Sequence, residues 1–294
     1  MKTFLKLSLV IFSLLLLSSC QDTVQIKLDQ GSQLYVIDAF INDLRTLQTV
    51  RVIHNEGYFD DQPSPPVAGA VVLLKDLTAS RQFTFNYAGD GNYVFNPTNA
   101  DTIAKPNHQY ELNVAVDGQV YKATTTQKRT AGIDSISTVY HDGNGGFGKA
   151  RDPFYRCVLW AKDKVDANTD YYWVKTFRND TLFLGPNDVN VCIDGTGGAV
   201  TTADADSLDF TPVASLLGFH EYVKGSSCKV EIHSVSADTY NFLLQAANQI
   251  SNSGLFAKTP ENVKTNIITP SGAKIRAVGW FNMATVVSKS KVVQ

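Results

Sequence analysis

The residues of this chain that are able to do chemistry are few and widely spaced. Its five histidines are His54, His108, His141, His220 and His233. Their spacing suits neither a metal site nor a nucleophile–base relay, whose members must stand within hydrogen-bond reach. No G-x-S-x-G, H-E-x-x-H or phosphate-cradling glycine loop is present, so no catalytic residue is assigned. Asp204, Asp206 and Asp209 bring three carboxylates close together, and calcium favours such oxygen clusters. The stretch lacks the glycine and terminal glutamate of an EF-hand loop and reads as a solvated acidic loop, so neither a metal nor a cofactor is expected. Three of the four cysteines, Cys157, Cys192 and Cys228, lie in the body of the chain. Cys157 sits in Phe154-Tyr155-Arg156-Cys157-Val158-Leu159-Trp160 and reads as a buried strand residue. Cys192 and Cys228 lie among polar and glycine-rich residues and are the candidate disulfide. An odd count leaves one thiol free in an oxidising compartment.

The fourth cysteine has a different setting. Lys2 and Lys6 precede an apolar run from Leu7 to Leu17, interrupted only by Ser8 and Ser13, and then comes Leu17-Ser18-Ser19-Cys20. A positive start, a short apolar stretch and small residues before a cut mark a secretory signal. The run is shorter than the roughly 20 apolar residues of a permanent span. Its ending resembles the bacterial lipobox. On that reading residues 1–19 are a signal peptide. Cys20 becomes the first mature residue, diacylated on sulfur and acylated again on its freed amine with chains of the palmitate class. Each buried methylene adds about 0.8 kcal/mol of membrane affinity, and more than one chain makes the attachment stable. Gln21, in place of an aspartate, favours the outer membrane. Residues 20–32 are polar and read as a lipidated tether.

Charge narrows the partners. Lys and Arg number 26 against 28 Asp and Glu, for a formal net charge of −2. Cleavage would remove two lysines and leave the mature chain near −4. No basic stripe suits nucleic acid, so none is expected. The length is sufficient for a large core in one or two domains.

The elements that must position these residues are mostly strands. Leu34–Phe40, Leu47–His54, Ala70–Leu74, Arg81–Tyr87, Tyr110–Val116 and Val120–Thr126 are short runs rich in β-branched and aromatic residues between turn residues. Leu112, Val114 and Val116 alternate with Glu111, Asn113 and Ala115, the period of a half-buried strand. Asp117-Gly118 marks a hairpin. Asn55 to Pro66 forms a loop holding Pro63, Pro65 and Pro66. Residues 129–150 shift in character, with a glycine-rich loop from His141 to Gly148. Further strands follow at Phe154–Lys162, Asp170–Arg178, Val189–Ile193, Lys229–Val235 and Ile275–Val287, the last with Trp280 and Phe281 as core aromatics. Gly195–Asp209 and Tyr222–Cys228 read as loops. The spacing predicts one helix over Ala237–Ser253, capped by Ser236 and closed by Gly254, with Tyr240, Leu243, Leu244, Ala247 and Ile250 on its packing stripe. The expected fold class is therefore mostly β. It comprises an N-terminal Ig-like or transthyretin-like β-sandwich over 33–129 and a second β-rich domain over 130–294 with the late α-helix.

Several of these pieces, in this order, resemble the Bacteroidota outer-membrane lipoprotein family known as domain of unknown function 4249. They include the lipobox cysteine, Leu34–Ile41, Val50–Phe59 and Pro66-Val67-Ala68-Gly69-Ala70-Val71-Val72-Leu73. Gly91-Asn92-Tyr93, Tyr110-Glu111-Leu112-Asn113-Val114, Tyr121-Lys122-Ala123-Thr124 and Ile133-Asp134-Ser135 follow. Near the end stand Thr259-Pro260-Glu261-Asn262-Val263-Lys264-Thr265-Asn266-Ile267 and Ala277-Val278-Gly279-Trp280-Phe281. The resemblance spans almost the whole mature chain. It implies an Ig-like or transthyretin-like first domain, a β-rich second domain and a place on the outer membrane beside TonB-dependent, SusC/SusD-type uptake systems. It carries over no catalytic residues.

The expectation is a non-enzymatic lipoprotein, exposed at the cell surface. Its partners would be the membrane, through the lipid on Cys20, and an outer-membrane β-barrel transporter or assembly protein. Direct capture of glycans or peptides and a structural role in an assembly complex are the alternatives. Tyr58 and Phe59, beside the proline-rich loop, are the candidate interaction residues, because loops on rigid sandwiches carry recognition. Tyr171, Tyr172 and Trp173 read as half-buried sheet aromatics with a lesser prospect of stacking on sugars.

Overall fold

Alternating apolar side chains along the first strands put one face of each into a common core. The structure, a computed structural model, describes residues 32–57, 62–97, 103–143, 152–162, 169–185, 188–193, 220–251 and 263–294. The strands are β1 (Leu34–Asn42), β2 (Gln48–His54), β3 (Val71–Asp76), β4 (Arg81–Gly89), β5 (Asn92–Phe95), β6 (Gln109–Val116), β7 (Gln119–Thr126), β8 (Gly132–His141), β9 (Phe154–Lys162), β10 (Tyr171–Arg178), β11 (Thr181–Leu182), β12 (Asn190–Ile193), β13 (Ser227–Val235), β14 (Arg276–Ala284) and β15 (Val286–Val292). The helix α1 spans Ala237–Ile250. Among the described residues the protein is mostly β with one late helix, as the sequence pattern indicates.

An eight-stranded sheet runs β14-β1-β2-β5-β4-β3-β6-β7. It rolls until its outer strands, β7 and β14, touch. Tyr35, Ile37, Ala39 and Ile41 of β1 point inward with Leu112, Val114 and Val116 of β6, all buried. Asp117 and Gly118, at φ 50° and 73°, make the hairpin between β6 and β7, where both residues need positive φ. Four buried tyrosines ring the core, and their hydroxyls tie down loops. Tyr93 donates to the Val67 carbonyl (2.7 Å) and accepts from the Ala70 amide (2.9 Å). Tyr110 accepts from the Lys105 amide (2.9 Å), Tyr121 donates to the Ile275 carbonyl (2.6 Å), and Tyr35 donates to the Asp117 carboxylate. A buried phenol needs such a partner to offset its lost hydration.

The partner of β1 comes from the far end of the sequence. β14 pairs with it in parallel, Leu34 opposite Arg276 through Asn42 opposite Ala284. At Gly279 (φ +113°) a Cβ would lie 2.0 Å from the Ile37 carbonyl oxygen, so only glycine fits. The preceding segment completes the roll. The Asn266 side chain donates to the Phe281 carbonyl (2.7 Å) and accepts from the Phe281 amide (2.9 Å). Ile268 exchanges backbone bonds with Lys122 of β7. β14 thus crosses the boundary that the composition shift places near residue 130, and the first core draws on residues from both sides of it.

The second core is built on a sheet ordered β11-β10-β13-β15, with β12 on β10, and on the β8–β9 ribbon. Its buried residues include Ile136, Cys157, Leu159, Tyr172, Val174, Tyr222, Cys228, Val230 and Ile232. β8 occupies residues 132–141, which the sequence leaves unassigned ahead of its loop, because few of its positions are buried on either face. β13 begins at Ser227, inside a stretch read as a loop.

The helix begins where expected. The Ser236 hydroxyl accepts from the Thr239 amide at 3.1 Å, and Asp238 sits in the first turn. It stops at Ile250 with Ser251 as the cap; Gly254 lies outside the described residues. Its packing stripe is turned from the expected one. Thr239 and Leu243 are buried, whereas Leu244 is 40% and Ile250 55% exposed. Thr239 determines the turn: its hydroxyl accepts from the Trp280 indole (2.9 Å) and donates to Asn282 (3.0 Å), and Phe242 stacks on Trp280 at 4.4 Å. Trp280 and Phe281 are both buried, as the sequence indicates.

Candidate functional site

Strand period two gives β10 and β13 one apolar face and one charged face. Tyr172, Val174 and Thr176 enter the second core, so Trp173, Lys175 and Phe177 face the other way. Across the ladder Trp173 stands opposite His233, Lys175 opposite Glu231, and Phe177 opposite Lys229. The Lys175 ammonium lies 4.0 Å from the Trp173 ring centroid and the Lys229 ammonium 4.0 Å from that of Phe177. Glu231 accepts from His233 at 3.0 Å and pairs with Lys229 at 3.4 Å. This face meets the outer side of β1, where Phe40 packs edge-on against Trp173 at 5.3 Å. Loss of solvent around its carboxylate raises Asp38, against the lowering pull of Lys175 and Arg51.

Burial governs protonation here. His233 is 4% exposed, and burial, reinforced by Lys175, pushes its pKa down to about 4 against the opposing pull of Glu231. Burial also lowers the Lys175 ammonium, while Glu231 and Asp38 draw it back up. Glu231 is raised by burial but lowered further by His233 and Lys229, and its carboxyl settles below its ordinary value. A neutral imidazole that donates to a carboxylate is an orienting contact. The Trp173 indole nitrogen is buried, with no hydrogen-bond partner among the described residues.

Two other histidines also meet carboxylates, each 32 residues away in sequence. His108 contacts Asp76 at 2.8 Å and His220 contacts Asp188 at 2.6 Å. Asp76 also accepts from the amides of Thr78 (3.0 Å) and Ala79 (2.9 Å), which makes it the organiser of the β3–β4 turn. Sequence spacing carries no sign of these pairs. Among the described residues no group of three or more His, Cys, Asp or Glu could hold a metal ion.

A cavity of about 320 Å³ opens at the β6–β7 end of the first core, lined by Tyr35, Asp117, Gln119, Tyr121, Gly272, Lys274 and Ile275. Tyr35 and Tyr121 meet edge to face at 5.5 Å. Burial, then the Asp117 carboxylate, raise the Tyr35 phenol above its ordinary range. The lining joins aromatic faces with one carboxylate, one amide and one ammonium, groups that suit a small polar or hydroxylated molecule.

Of the residues marked by sequence, Cys20, Tyr58, Phe59, Asp204, Asp206 and Asp209 lie outside the described residues. Tyr172 is fully buried and Tyr171 packs on Tyr240 at 5.3 Å, so the aromatic triplet serves packing. The pairing of Cys192 with Cys228 needs correction. Cys192 stands opposite Tyr172 and Cys228 opposite Arg178, on opposite edges of β10. Their places along that strand are roughly 20 Å apart, far beyond the ~7 Å reach of a disulfide. Polar neighbours in sequence misled, because Cys228 belongs to a strand and is fully buried.

A family model described as a domain of unknown function, DUF4249, matches residues 21–290. The chain belongs to that family. The DUF4249 match takes in both cores, α1 and the returning strand β14. No curated protein matches the chain. Among solved structures, it is similar to the FN1–FN3 domains of chicken CNTN1, at 9% identity and a TM-score of 0.23. That similarity covers 71% of this chain and 64% of the CNTN1 chain.

Proposed function

We propose that this DUF4249 protein is a non-enzymatic lipoprotein of the outer membrane that works beside a TonB-dependent, SusC/SusD-type uptake system. One observation carries the reading: Leu17-Ser18-Ser19-Cys20 closes a leader with lysines at positions 2 and 6 and a short apolar run. Acyl chains on Cys20 hold the protein at the membrane, residues 20–32 act as a tether, and the β-built body meets its partner at the cell surface. The histidine–carboxylate contacts support a non-catalytic reading, because Asp76 is engaged by turn amides and the His233–Glu231 pair is buried within a ladder. Expression of Cys20→Ala in a bacterial host tests the anchor. The variant is expected in the soluble fraction, and retention on membranes after alkaline washing overturns the reading. Affinity purification of the native protein from membranes tests the partner, which is expected to be a stoichiometric β-barrel protein.

The Tyr35–Asp117–Lys274 cavity favours a second reading, direct capture of a small glycan or peptide. Calorimetric titration with oligosaccharides and peptides tests it. Heat that disappears in Asp117→Ala supports capture, and no heat removes it.

A further inference from the structure

We propose that Cys157 and Cys228 form a disulfide that fastens the β8–β9 ribbon to the five-stranded sheet, leaving Cys192 as the free thiol. The two side chains belong to one core cluster, 3% and 0% exposed, and come from different sheets. The two thiols are close enough to act on one another in that core, each shifting the other's proton affinity. A disulfide is about 2 Å long and joins side chains whose Cα atoms stand about 4–7 Å apart, a reach that suits neighbouring strands packed face to face in one core. The surrounding backbone holds them there. Tyr155, two residues before Cys157, exchanges backbone bonds with Tyr222 at 2.8 and 2.9 Å. Lys289 of β15 donates to the Asp134 carbonyl of β8 at 2.5 Å. These ties, with the shared core, join the ribbon to the sheet, and a covalent link between β9 and β13 would add a strong one.

The step occurs during folding. In the closed core the two side chains are 3% and 0% exposed, so an oxidant cannot reach either sulfur there. Earlier, while β9 is still reachable, the thiolate of one cysteine attacks a disulfide-bearing oxidant, either a dithiol oxidase or glutathione disulfide. One oxidant thiolate leaves and a mixed disulfide forms. The second cysteine loses its proton to solvent and attacks the protein sulfur of that mixed disulfide, expelling the oxidant's other thiolate. Two electrons pass to the oxidant, which takes up two protons, and one S–S bond remains in the protein. The exported reading matters here only for where the oxidant is met.

Peptide mapping without reductant, after alkylation of free thiols in denaturant, tests the pairing in two samples. One is the full chain exported with its own leader. The other is leaderless chain made in the cytosol, reduced, unfolded and refolded with glutathione disulfide. The expected result in both is a linked peptide pair containing Cys157 and Cys228, with Cys192 alkylated. If the refolded sample has both cysteines alkylated, or a link through Cys192, the proposal is overturned. A link after refolding but free thiols in the exported sample keeps the pairing and overturns the export reading instead. As a second readout, dithiothreitol should lower Tm by about 5–10 °C in wild type and in Cys192→Ser alike. An unchanged Tm overturns the proposal.

Discussion

The two cores handle polarity in opposite ways. In the first, tyrosine hydroxyls at the rim are each bonded to a loop backbone or a turn carboxylate. In the second, thiols lie inside the core and a charged ladder covers the reverse face of the same strands. The first sheet buries one face by rolling on itself, so a phenol at its end reaches backbone partners. β10 and β13 are covered on both faces, so Glu231 is held by His233 and Lys229, and Lys175 lies over the Trp173 ring. A strand of strict period two can therefore be buried twice over when the polar groups of its second face have partners on the neighbouring strand.

The sharpest way to break the first core is at Gly279. Gly279→Ala forces a Cβ onto the Ile37 carbonyl at positive φ, and is expected to cost more than about 4 kcal/mol in chemical denaturation. Gly272→Ala, also at positive φ but facing open space, should cost roughly 1 kcal/mol. The helix gives the next contrast. Leu243→Asp places a carboxylate where the side chain is 5% exposed, with an expected loss of about 3 kcal/mol. Leu244→Asp, at a 40% exposed position, should change stability by less than about 1 kcal/mol. Equal losses would mean that the stripe is not turned as described.

Acid should act chiefly on the second core. His233 binds a proton more weakly when folded, near pH 4, than when unfolded, near 6.5. Between those values the unfolded chain holds more protons, so stability rises with pH. It is complete above pH 6.5 and falls by up to about 3 kcal/mol as pH drops toward 4. Glu231, whose carboxyl is depressed, extends the loss in the same direction at lower pH. Denaturation midpoints measured across that window should steepen in wild type and flatten in His233→Gln. The smallest effect is at the cavity. Tyr35→Phe loses one hydrogen bond to Asp117, for about 1 kcal/mol.

Much of the strand order was legible because β1, β2, β6 and β7 alternate cleanly, and the Asp117-Gly118 turn has its own signature. β8 was not, since Gly-Ile-Asp-Ser-Ile-Ser-Thr-Val-Tyr-His has no continuous apolar face. The helix was legible in extent but not in rotation, because a hydroxyl, Thr239, anchors its buried side. Parallel pairing of β1 with β14, the distant histidine–carboxylate contacts and the meeting of Cys157 with Cys228 leave no trace in local spacing. Of the candidate site, the sequence marked the Asp117 turn as a hairpin only. Its cavity needs Tyr35, Tyr121 and Lys274 from three separated segments.

The late arrival of β14 has a consequence for synthesis on the ribosome. Until Arg276–Ala284 emerge, the β1 backbone has one row of amides and carbonyls with no strand beside it. Such an open edge is a template for pairing with another nascent chain. Premature termination before codon 276 should therefore yield insoluble product, even though most of the strands of the rolled sheet have already been made.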